Sequence, residues 1–115
     1  MVPQRQNSLS SMLRDAWVEI DLAAIENNVL AIKSYLKNSG SPECELMAVV
    51  KSDAYGHGAV RVAEILTATG ASWLGVASVD EGRQIRESIK NVPILILAPS
   101  PNWALDNALE YNLDL

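Results

Sequence analysis

A lysine closes an uninterrupted apolar run: LMAVV (46–50) stops at Lys51, and SDAYGHG (52–58) follows. The carboxyl ends of parallel strands are where α/β folds gather their ligands, so a lysine there sits on the functional face. Partial burial at such a mouth disfavours an ammonium and leaves more of the free amine. A free amine is a nucleophile that forms a Schiff base with a carbonyl compound. The next residues add a phenol donor at Tyr55 and two glycines, Gly56 and Gly58, that permit positive φ and close backbone approach. His57 is the one histidine of the chain, and Asp53 is suited to capping a turn. The same residues equally describe a solvated lysine ahead of an ordinary glycine turn. Chemistry alone leaves both readings open.

The segments around Lys51 alternate between strand and helix patterns. WVEI (17–20) alternates as a short strand, and Asp21 is a good N-cap for the helix that follows. In that helix Leu22, Ile25, Val29, Ile32 and Leu36 recur at spacings of three and four, while Glu26, Asn27, Lys33 and Lys37 fall on the other face. NSGSPE (38–43) breaks it. LMAVV reads as a strand covered on both faces. VRVAEILTATG (60–70) reads as a helix with Gly70 on its C-cap side, and WLGVAS (73–78) as a strand. Asp80 can cap a helix running to about Lys90, with Glu81 in the first turn where the dipole favours it. PILILA (93–98) is a buried strand opened by a proline, and a last helix runs from Asn102 to about Tyr111. Regular alternation with short connections predicts a parallel sheet covered by helices. An open doubly wound sheet and part of a β/α barrel both fit. A complete eight-unit barrel takes about 250 residues, against 115 here.

Composition narrows the classes of function. A net charge of −5 with no Lys/Arg stripe argues against nucleic acid. The single cysteine, Cys44, excludes an intrachain disulfide framework and a Cys-based metal cluster; with one histidine as well, no metal site is expected. No apolar run approaches the ~18 residues of a membrane span. Residues 1–15 are expected to be a flexible leader without a signal-peptide core. A cytoplasmic location fits the cysteine usage.

The whole string AVVKSDAYGHGA (48–59) closely resembles the PLP (pyridoxal 5′-phosphate) attachment signature of the alanine racemases, AVVKADAYGHG, with Ser52 in place of the usual alanine. WVEIDLAAIENNV resembles the N-terminal segment of that family, LGVASVDEGRQIRE its stretch after the second barrel strand, and VPILILAPS its next strand and turn. The resemblance covers about residues 16–115. It implies the N-terminal portion of a parallel β/α (TIM-type) barrel, roughly its first three strands with their helices, WVEI preceding the barrel proper. It also implies that Lys51 carries PLP as a Schiff base and exchanges the α-proton of alanine on the D-enantiomer's face. Tyr55 would hydrogen-bond the phosphate and Leu97 would pack near the cofactor. The bacterial family works as a homodimer, interconverts L- and D-alanine, and so feeds D-alanine to cell-wall peptidoglycan.

In the family, the acid/base on the opposite face is a tyrosine of the partner's C-terminal domain. Tyr35, Tyr55 and Tyr111 do not match it, and Arg83 and Arg86 read as solvated or paired surface charges on a helix. The isolated chain is therefore expected to be an incomplete barrel with little or no racemase activity. Alternatives are a non-catalytic PLP-homeostasis protein of the same barrel fold, a serine or broad-specificity racemase, and a cofactor-free half-barrel interaction module.

Overall fold

The computed structural model describes residues 15–115. The leader expected over 1–15 lies, apart from Asp15, outside the described residues. In chain order, α1 spans Leu22–Asn38, β1 Met47–Val49, α2 Ala59–Thr69, β2 Trp73–Val76, α3 Val79–Ser88, β3 Ile94–Ile96 and α4 Leu105–Glu110. A helical turn, Lys51–Gly56, joins β1 to α2, and a 3-10 turn, Asn102–Ala104, leads into α4.

The three strands form one parallel sheet in the order β1-β2-β3. Met47 pairs with Trp73 and Val49 with Gly75; Leu74 pairs with Ile94 and Val76 with Ile96. Beyond β3 the chain returns to the same edge, where Asp114 bridges Leu95 in parallel and its carbonyl accepts from the Ile96 N–H at 2.8 Å. A doubly wound sheet would reverse its strand order and send the fourth segment back beside β1. Consecutive growth past β3 is that of a barrel wall, and the fold is an incomplete β/α barrel.

Which face is covered follows from the two-residue period of a strand. Leu74, Val76, Ile94 and Ile96 point one way and are buried with Val62, Ala63 and Ile85 of α2 and α3. Met47, Val49, Trp73, Gly75 and Leu95 point the other way, and Val49 is 40% exposed. The apolar runs that suggest strands covered on both faces are thus covered by helices on one. The second face is the inner wall of the barrel, which is apolar for its own reasons.

Local chemistry explains the helix boundaries. The Asp21 carboxylate accepts from the Ala24 N–H at 3.1 Å and starts α1. Gly70, at φ 126°, ends α2, and Lys33 of α1 donates to its carbonyl. The cap of α3 is Ser78 rather than Asp80: its hydroxyl accepts from the Glu81 N–H at 3.2 Å, while Asp80 pairs with Arg83. WVEI joins no sheet among the described residues, because alternation without a neighbouring edge makes no strand.

Arg86 departs furthest from expectation. It is a buried residue, 7% exposed, and donates to the carbonyls of Ile89, Lys90, Val92, Tyr111 and Asn112. Burial holds its guanidinium below the ordinary value, opposed by the charge of Asp114. One side chain thereby ties the end of α3 to the approach to β3 and to the segment after α4. Arg83 is the surface pair expected of it, bonded to Asp80 and Glu87.

Candidate functional site

Lys51 stands two residues past β1, at the carboxyl edge of the sheet. The strand's hydrogen bonding runs up to its threshold: the Val50 N–H donates to the Gly75 carbonyl at 2.8 Å, and Val50 is buried on the helix side. Lys51 itself is half-buried, and its amine makes no hydrogen bond or ion pair with the described residues. An amine so placed is held on a rigid element yet left uncommitted.

The backbone then does something the sequence does not announce. Ser52, Asp53, Ala54 and Tyr55 all lie in the left-handed region, with φ of 53°, 55°, 52° and 56°. No glycine is among them, so each carries a cost of about 1–2 kcal/mol against the right-handed form. Such strain persists only where surrounding contacts over-determine it, and it concentrates at functional sites. Several contacts do so here. The Glu81 carboxylate accepts from the Ser52 N–H at 2.8 Å. The Ala54 N–H donates to Val50 O at 2.9 Å and the Gly58 N–H to Asp53 O at 2.9 Å. Asp53 Oδ1 accepts from the Ala59 N–H at 2.8 Å, satisfying the first turn of α2.

His57 closes the turn. Its Nδ1 lies 3.0 Å from the Ala54 carbonyl, and a carbonyl only accepts, so that nitrogen carries the proton. The ring is otherwise exposed at the surface. Gly58 follows at φ 90° and ψ 93°, a conformation that a side chain would strain although open space surrounds the position of a Cβ.

The expected partners of Lys51 are distributed along the same edge. Tyr55 is 60% exposed on the left-handed turn. Leu97 follows β3, 46% exposed, its N–H on the Val76 carbonyl at 2.7 Å. Its side chain crosses to β2: a Cβ on Gly75 would meet Leu97 Cδ1 at 3.2 Å and Met47 Sδ at 3.3 Å. Gly75 therefore lets residues of β1 and of the segment after β3 close over the middle strand on the barrel's inner face. A separate cleft of about 230 Å³ opens between Ser78–Arg83 and Pro99–Ala104, with Asp80 and Trp103 in its walls; Lys51 and Tyr55 do not line it.

These residues suit an aldehyde that carries a phosphate. An uncommitted amine, an exposed phenol and a turn whose glycines leave their Cβ side open form the matching donor set. Glu81, which the sequence marks only as a first-turn acid of α3, also takes part. Its contact with Ser52 spans 29 positions, which no local pattern encodes.

Comparison with known proteins gives a consistent result. The family described as "Alanine racemase, N-terminal domain" matches residues 20–115. An alanine racemase of Nostoc sp. is 58% identical over 82 residues, covering 71% of this chain and 20% of that protein. The structure of alanine racemase from Bacillus anthracis with bound L-Ala-P aligns with a TM-score of 0.70 at 46% identity, over 82% of this chain and 24% of the other. That of Bartonella henselae alanine racemase, with covalently bound pyridoxal phosphate, aligns with a TM-score of 0.72 at 30% identity, over 82% and 26%. The chain thus spans a fifth to about a quarter of the length of these relatives.

Proposed function

The chain belongs to the alanine racemase N-terminal domain family, and on that premise we propose that it supplies the cofactor-attachment face of a PLP-dependent alanine racemase. The observation that carries this reading is the half-buried, uncommitted amine of Lys51 at the end of β1, set ahead of a strained turn. The pyridoxal phosphate bound covalently in the Bartonella relative supports it. Lys51 Nζ would be the attachment atom, holding the cofactor through its aldehyde carbon with water lost. Tyr55 would donate its phenolic hydrogen to the phosphate, and Leu97 would lend an apolar contact near the ring.

When bound, pyridoxal phosphate serves as an electron sink that acidifies the α-proton of an amino acid. The work of this chain is then proton handling on one face. With substrate bound, Lys51 Nζ would take up and return the α-proton on the D-enantiomer's side. Inversion also requires a second acid/base on the opposite face. Tyr35 lies on α1, 71% exposed and beyond the helix-covered side of the sheet. Tyr111 lies past α4, where its carbonyl is held by Arg86. The opposite face belongs to a residue outside these 115, in a homodimer built by the whole enzyme. D-alanine for peptidoglycan, made in the bacterial cytoplasm, is the product of that assembly.

Two measurements on the chain test the reading. PLP should remain with the folded chain through gel filtration and be lost from Lys51→Ala. L-alanine should give no D-alanine above the Lys51→Ala background. Equal loss of PLP from both chains would overturn the attachment role. Sustained turnover by the chain would overturn the assignment of one face only.

A further inference from the structure

Glu81 links two features that the family reading leaves separate. Its position is fixed by a reciprocal cap at the start of α3: the Ser78 hydroxyl accepts from the Glu81 N–H at 3.2 Å and lies 3.4 Å from Glu81 Oε1. That arrangement leaves Oε2 free to leave its own helix. It accepts from the Ser52 N–H at 2.8 Å, a short charge-assisted bond from a half-buried carboxylate.

The amide in question is the one that joins Lys51 to Ser52. Holding its N–H fixes the plane of that peptide, and with it the ψ of Lys51 and the direction in which its side chain leaves the backbone. It is also the entry to four left-handed residues, whose strain would otherwise relax towards the right-handed form. From this geometry we infer that Glu81 is a positioning residue for Lys51: through the Ser52 amide it locks the peptide that aims the attachment amine. The carboxylate acts through the backbone, since it forms no ion pair with Lys51 among the described residues. The inference rests on the reading of Lys51 as the attachment residue.

Four variants of the chain separate this role from plain stability. Glu81→Asp keeps a charge at the start of α3 but is too short to reach Ser52. Glu81→Ala removes both functions, and Glu81→Gln keeps length and an acceptor oxygen. Ser78→Ala weakens the cap of α3 and removes one tether of the Glu81 side chain, but keeps the carboxylate to which Ser52 donates. Two readouts are taken: hydrogen exchange at the Ser52 amide, which involves no cofactor, and the rate at which a borohydride-stable PLP adduct appears on Lys51.

Glu81→Asp and Glu81→Ala should each speed exchange at Ser52 and slow adduct formation, by about tenfold for loss of a charged hydrogen bond. Glu81→Gln should stay within about threefold of the parent chain, and Ser78→Ala should lower the melting temperature while slowing the adduct far less than Glu81→Asp does. Unchanged exchange and adduct rates in Glu81→Asp would overturn the inference, as would a loss in Ser78→Ala as large as in Glu81→Asp. If the parent chain forms no adduct, the attachment reading fails instead, and the exchange data still judge the contact.

Discussion

At the scale of single residues, the unusual chemistry of this chain is conformational before it is catalytic. Ser52, Asp53, Ala54 and Tyr55 turn the backbone left-handed immediately after Lys51. Ser52 is exposed, so replacing it by glycine removes steric cost without removing a packed side chain. Ser52→Gly should stabilise the chain, by up to about 1 kcal/mol once the extra freedom of glycine in the unfolded chain is subtracted. Ser52→Val, β-branched at positive φ, should destabilise it; thermal unfolding of the two variants checks the sign. The lysine itself was legible in sequence, since a charged residue ending an apolar run is conspicuous. The left-handed turn was not, because Ser-Asp-Ala-Tyr contains no residue that demands positive φ. The contacts that impose it come from Val50, Asp53 and the distant Glu81.

At the scale of elements, the strand–helix alternation was readable because each apolar run is long enough and each break carries glycine, proline or a capping side chain. What the pattern misplaced were the choices that depend on neighbours. Asp80 and Ser78 are both good caps; Ser78 takes the position, and Asp80 lies in the first turn of the helix, paired with Arg83. Arg86 occupies a helical position that reads as solvent-facing. It is buried because five carbonyls from two separate segments, 89–92 and 111–112, converge on it. Such a clamp makes a clear stability prediction. Arg86→Met preserves much of the side-chain volume but leaves those carbonyls short of donors, and should cost about 3 kcal/mol or more. Denaturant unfolding of the variant measures that cost. A change within a few tenths would mean that water replaces the guanidinium at no penalty.

For the molecule as a whole, the three strands and the returning segment at Asp114 describe a barrel wall seen from outside and inside. Its outer face is closed by α2 and α3, while its inner face presents Met47, Val49, Leu95 and Leu97. The sequence could not separate these faces, because a barrel interior and a helix-covered face select the same aliphatic residues. An apolar inner wall open to solvent is a surface for self-association. The chain should therefore associate in a concentration-dependent way. Val49→Lys, which places a charge on the inner face away from β1's helix-covered side, should weaken that association; sedimentation across a concentration series reads the difference. No helix of the described residues is long and apolar enough to cross a membrane.

The proposed attachment at Lys51 can be located chemically. The folded chain is mixed with PLP, reduced with borohydride so that a hydride fixes the nitrogen–carbon bond, and digested for peptide mapping. Among the chain's lysines, a single dominant adduct is expected on the peptide containing Lys51, and it should disappear in Lys51→Ala. Adducts spread over exposed Lys33, Lys37 and Lys90 with none enriched at Lys51 would contradict it.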